Sequence, residues 1–130
     1  MVGYVDNIEK ITESNANFRQ VLFTGKYCQL VVMSLLAGEE IGMEVHETVD
    51  QFFRIESGEG KVIMNGEEAA FGPGFGIIVP AGTQHNVIAT TPVKLYTIYS
   101  PPNHPKDRVQ ATKAEAMAAE TQEHSRVKTF

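Results

Sequence analysis

The sequence predicts an all-β domain, a barrel or sandwich, and three observations carry that expectation. Short runs rich in Val, Ile, Leu, Phe and Tyr recur between residues 18 and 100. Gly, Pro and Asn-Gly turn signals separate those runs every few residues. Helix-forming composition is confined to the two ends of the chain. A length of 130 residues is enough for one well-buried core and too short for two ordinary domains. Residues 1–17 are therefore read as a lead-in, 18–100 as the barrel, and 101–130 as a C-terminal loop, helix and tail.

Taken in order, Ile8 and Ile11 stand at helical spacing behind Asp6 or Asn7 as caps, which predicts a short helical turn on the surface. Phe18 to Thr24 and Tyr27 to Leu36 read as two strands joined at Gly25-Lys26. Val31, Val32, Met33, Leu35 and Leu36 make both faces of the second strand apolar, which places it inside a two-layer structure. Lys61 to Asn65 is a strand, and Asn65-Gly66 is the strongest hairpin signal in the chain. Gly72-Pro73-Gly74 turns the chain into Gly76–Val79, and Pro80-Ala81-Gly82 breaks it before Thr83 to Ala89. Val93 to Tyr99 is the last strand, ended by Pro101, Pro102 and Pro105. Thr112 to Glu120 carries strong helix formers, with Thr112 and Glu115 at capping-box spacing. Thr121 to Phe130 reads as a loosely held tail. Cys28 reads as a small apolar core residue, and Arg54 and Glu56 as surface residues.

The formal charge of -5, with no basic block, argues against a nucleic-acid partner. A single cysteine cannot form an internal disulfide or a Cys-based zinc cluster, which suits a reducing compartment. No apolar run approaches the roughly 20 residues of a membrane span, and the N-terminus has no basic region before an apolar stretch. A cytoplasmic location is the expectation.

The chemistry-bearing residues concentrate between Gly38 and Gly58. Alternate side chains of an extended segment share a face, so Glu44 and His46 can converge on one ion while Val45 points away. Gln51 opens a new alternating run that can return beside them. A second informative stretch runs from Gly74 to Ala89 and contains His85. The two stretches together resemble the paired signatures of the cupin superfamily. The first signature, G-x5-H-x-H-x4-E-x6-G, is met in spacing by Gly38, Glu44, His46, Gln51 and Gly58. The second, G-x5-P-x-G-x2-H-x3-N, is met by Gly74, Pro80, Gly82, His85 and Ala89. Glu44, Gln51 and Ala89 depart from the usual His, Glu and Asn.

The resemblance implies a double-stranded β-helix of the jelly-roll type and one divalent transition metal ion, Zn, Fe, Mn, Ni or Co, held by Glu44, His46, Gln51 and His85. Gln51 either ligates directly or hydrogen-bonds a ligand or water. The exchange of Glu for His and Gln for Glu leaves the ligand charge unchanged. A glutamine at the third position also resembles small cupins that convert ring-form unsaturated uronic acids to linear keto sugars, and chain length is similar to mannose-6-phosphate-isomerase-like cupins. No Lys or Arg cluster in the sequence seats a phosphate.

The function expected by analogy is a non-redox isomerase or tautomerase acting on a small sugar or sugar acid. A metal-dependent dioxygenase and a non-catalytic small-molecule or metal-binding module are the alternatives. Tyr96, Tyr99, Glu47 and Asp50 are weak candidates for proton transfer, with Ser34 and Thr97 as further polar residues. His104 reads as part of an ordered polar turn and His124 as an inert tail residue. Small barrels of this type pair through edge strands, so a homodimer is expected, with Phe18 to Thr24 as the crossing strand.

Overall fold

The computed structural model describes residues 1–128, with side chains through Thr121. Its elements are α1 (Ile8–Ser14), β1 (Arg19–Thr24), β2 (Gln29–Leu35), β3 (Asp50–Ser57), β4 (Gly60–Met64), β5 (Glu67–Phe71), β6 (Gly76–Val79), β7 (His85–Ala89), β8 (Val93–Ser100), β9 (Val109–Gln110) and α2 (Lys113–Lys128). One sheet has the order β6-β3-β8-β2-β1-β9 and the other the order β5-β4-β7. All pairings are antiparallel. This is the expected jelly roll with a helix at each end.

Alternation explains how the layers close over a core. On β8, Val93, Leu95, Thr97 and Tyr99 are buried while Lys94, Tyr96 and Ile98 are only half-buried. β3 repeats the pattern with Gln51, Phe53 and Ile55, and its register sets Gln51 beside both Tyr99 and Val79. From the opposite sheet Val62, Val87 and Ala89 meet them. The inward row is thus apolar in its middle and polar only at the end where Gln51, Thr97, Tyr99 and His85 lie. That end becomes the site.

The smaller sheet gains a further edge from an irregular segment. Gly38 N donates to Ala89 O, Ile41 N to Val87 O, and Glu44 exchanges two backbone hydrogen bonds with His85, at 2.8 and 2.9 Å. Residues 38–44 therefore run antiparallel alongside β7. The Asn65-Gly66 hairpin forms as expected, with φ of 48° and 85° at its two central residues, the signs a type I′ turn needs. Asn7 caps α1 by accepting from Lys10 N. Thr112 accepts from Glu115 N at the start of α2, and Glu115 reaches back to Ala111 N.

Several local expectations are corrected. β2 begins at Gln29, and Cys28 lies exposed in the preceding turn, because the buried first position of the strand is taken by the Gln29 amide. Arg54 and Glu56 pair with each other at 3.4 Å, and the Glu56 side chain is largely covered. α2 runs on to Lys128, past the expected end near Glu120, since residues 121–128 contain helix formers and no Gly or Pro. The side chain of His124 lies outside the described residues.

The glycines of both signature stretches, Gly38, Gly58, Gly74 and Gly82, all have positive φ. Gly58 is the most constrained of them: a methyl group on its Cα would overlap the Pro92 carbonyl oxygen. Gly58→Ala is expected to lower the unfolding free energy by about 2–4 kcal/mol, combining left-handed strain with overpacking. Urea denaturation at unchanged m-value would show it, and a loss under about 0.5 kcal/mol would contradict the packing described.

Candidate metal centre

The backbone exchange between Glu44 and His85 places their side chains on the same face of neighbouring strands, because directly opposed residues of an antiparallel pair point the same way. His46 follows two residues after Glu44 and so shares that face. The result is convergence. One donor atom each from Glu44, His46 and His85 lies within 4.8 Å of the others. His46 Nε2 is 2.8 Å from Glu44 Oε2, and the His46 and His85 rings are 5.4 Å apart between centroids.

His85 is prepared for ligation. Its Nδ1 lies 2.9 Å from the Thr83 carbonyl oxygen, an acceptor only, so the proton sits on Nδ1 and the Nε2 lone pair is left available. A backbone carbonyl of this kind is a common orienting partner of a metal-binding imidazole. Gln51 is 2% exposed. Its Nε2 donates to Thr97 Oγ1 at 3.0 Å, while its Oε1 is buried without a hydrogen-bond partner. Leaving such an oxygen unsatisfied costs on the order of 1–3 kcal/mol. A divalent cation would satisfy it, and two imidazoles, a carboxylate and an amide oxygen form a donor set that suits one. The residues present fit the group.

Electrostatics around the carboxylate agree with that arrangement. Burial opposes ionisation of Glu44, but the contact and charge of His46, with Arg19 and His85 behind, outweigh it and hold the carboxyl below its usual range. Tyr99 stands edge-on to His46 at 5.9 Å and is fully buried, which raises its phenol above the usual value. Tyr99 Oη is 3.1 Å from His104 Nε2. Burial, reinforced by the positive charge of Arg19, pushes His104 down to about 3. His104 is therefore neutral at pH 7 and shares this hydrogen bond with the protonated phenol.

A cleft of about 420 Å³ opens over this cluster between residues 41–46 and 103–108, with Arg19 also in its wall. Fully buried Gln29 holds its far side: Oε1 accepts from Asn103 N and His104 N, and Nε2 donates to the His104 carbonyl. Of the weaker candidates, only Tyr99 joins the site. Tyr96 points to the outer face beside Phe52, as the alternation of β8 requires. Glu47 is exposed. Asp50 accepts from Ala81 N, stabilising a turn. Ser34 accepts from Lys94 Nζ on the outside of the sheet, and Thr97 serves Gln51. His104, read from sequence as a polar turn, instead lines the cleft.

Arg19 and Gln29 were not singled out by sequence reasoning. A signal existed for each: Arg19 shares the apolar face of Val21, and Gln29 that of Val31 and Met33, so each is a polar residue in a core register.

The His104 shift has a consequence for stability. Its folded-state value lies below the ordinary 6.5, so between pH 6.5 and about 3 the unfolded chain binds more protons and stability falls as pH drops. His104→Asn removes that component. Denaturation series at pH 6.5 and 4 should show a smaller pH-dependent loss in the variant than in the parent, and equal losses would contradict a buried neutral imidazole.

Comparison with known proteins agrees with the geometry. The model of the cupin domain matches residues 31–99. The chain is 51% identical over 126 residues to the uncharacterized protein YrkC of Bacillus subtilis (strain 168), covering 90% of this chain and 67% of that one. It is 37% identical over 120 residues to the uncharacterized protein L612 of Acanthamoeba polyphaga mimivirus, covering 87% and 74%. The crystal structure of BH2720 from Bacillus halodurans superposes with a TM-score of 0.86 at 46% identity, over 88% of this chain and 93% of that one. With both signature stretches meeting across one antiparallel bridge, the chain belongs to the cupin family.

Proposed function

We propose that this chain is a metal-dependent, non-redox enzyme of the isomerase or tautomerase type, acting on a small sugar or sugar acid. Glu44, His46, Gln51 and His85 are the proposed ligands of one divalent ion. The observation that carries the reading is the convergence of three donor atoms within 4.8 Å, and the buried Gln51 amide oxygen, which has no hydrogen-bond partner, supports it. The ion, when bound, supplies Lewis acidity toward a carbonyl or hydroxyl oxygen.

The chain's own residues supply the rest. Thr97 accepts from the Gln51 amide N–H, which leaves the amide oxygen without a hydrogen-bond partner. Thr83 fixes the His85 tautomer. Tyr99, raised by burial, holds its proton at neutral pH and so does not act as a base. Neutral His104 orients that phenol. The cleft admits a molecule of monosaccharide size, since 420 Å³ lies toward the lower end of small-molecule sites, roughly 300–1,000 Å³.

Elemental analysis tests the reading. Protein purified without added metal, or reconstituted, should carry about one equivalent of a transition metal. His46→Ala and His85→Ala should each lose it while circular dichroism shows the barrel intact. Stoichiometric metal in both variants, or none in the parent after reconstitution, would overturn the site. Oxygen uptake coupled to substrate loss would favour the dioxygenase alternative.

A further inference from the structure

One cation in the cleft has no counterpart in the metal-centred account. Arg19 enters from β1 and is 2% exposed. Its Nη1 donates to Gln110 Oε1 at 2.9 Å, and its guanidinium carbon lies 5.3 Å from the Phe18 ring centroid. Its guanidinium also donates toward the Tyr99 phenol oxygen, and its Nε is the donor left buried with no hydrogen-bond partner. Among the described residues no carboxylate comes within ion-pair distance of it. A buried guanidinium with donors unspent is costly unless an anion completes it. The neighbouring charge is Glu44, whose carboxylate already contacts His46 and would be offset by a bound divalent ion. His104, the other near neighbour, has its Nε2 engaged with Tyr99. The inner wall is thus electropositive once the ion is present. The rim adds Arg108 and Glu120, of opposite sign.

We propose that Arg19 seats the carboxylate of a small hydroxy or sugar acid while another oxygen of the same molecule reaches the metal. This names the charged member of the substrate class and rests on the metal-centred reading above. A planar guanidinium fork matches a carboxylate, forms charge-assisted hydrogen bonds stronger than neutral ones, and fixes which end of the molecule faces the ion.

Matched probes test the proposal on the full chain. Galacturonate and galactose differ in a carboxylate against a hydroxymethyl group, and lactate and propane-1,2-diol differ in a carboxylate against a hydroxymethyl group on a smaller frame. Calorimetric titration of metal-loaded protein should show at least one acid binding about tenfold or more tightly than its neutral partner. Arg19→Met should erase that preference with metal content unchanged, and Arg19→Lys should restore part of it. Equal affinity within both pairs, no binding by either acid, or a preference that survives Arg19→Met overturns the proposal. If the variants fail to fold, the parent protein's discrimination decides alone. Titrations repeated on chelator-treated protein separate the two readings: a preference that persists without metal supports the Arg19 seat even where the metal reading fails.

Discussion

The pair of backbone hydrogen bonds between Glu44 and His85 is the constraint on which the rest of the site depends. It joins an irregular segment to the edge of the small sheet. Because the two residues are directly opposed, a carboxylate and an imidazole must share a face. His46 then falls on that face by strand periodicity, and its carbonyl accepts from Gly82 N, tying the same segment to the turn that leads into β7. A one-residue slip would send all three side chains to the other face. The motif spacing is therefore a statement about register, made in sequence.

A second layer of residues converts that register into chemistry. Thr83 and Thr97 each use an oxygen to fix one polar side chain, and each leaves the opposite atom, His85 Nε2 or Gln51 Oε1, turned to the interior. Gln29 gives its amide oxygen and one N–H to the loop containing His104 and the other N–H to Thr24. His104 in turn meets Tyr99. Every one of these polar groups is anchored by a strand whose neighbouring inward residues are apolar. A rigid apolar floor beneath a polar rim is what lets a few hydrogen bonds set geometry in a small domain.

Much of this was legible in the sequence, for identifiable reasons. The apolar run Val31 to Leu35 places β2 between the layers, and Asn65-Gly66 fixes a hairpin, because both signals are local. The spacing of the signature stretches carries Glu44, His46 and His85, which converge in the fold, and the proposed fourth ligand Gln51. What stayed hidden depends on contacts between distant segments. Arg19 and His104 meet the cleft only because β1 and the loop after β8 fold to the same end of the barrel. Tyr96 and Tyr99 looked alike until the register of β8 separated the outer face from the inner. Cys28 is misplaced by a strand start two residues early, and α2 continues past Glu120 because residues 121–128 keep helix formers.

The account rests on two imidazoles and two side-chain oxygens meeting one ion. X-ray absorption spectroscopy of the protein carrying one equivalent of Co(II) measures that arrangement directly. The account predicts nearest neighbours that are all nitrogen or oxygen, with outer scattering that fits two imidazole rings per metal. A spectrum without imidazole scattering, or with a sulfur neighbour, would contradict it.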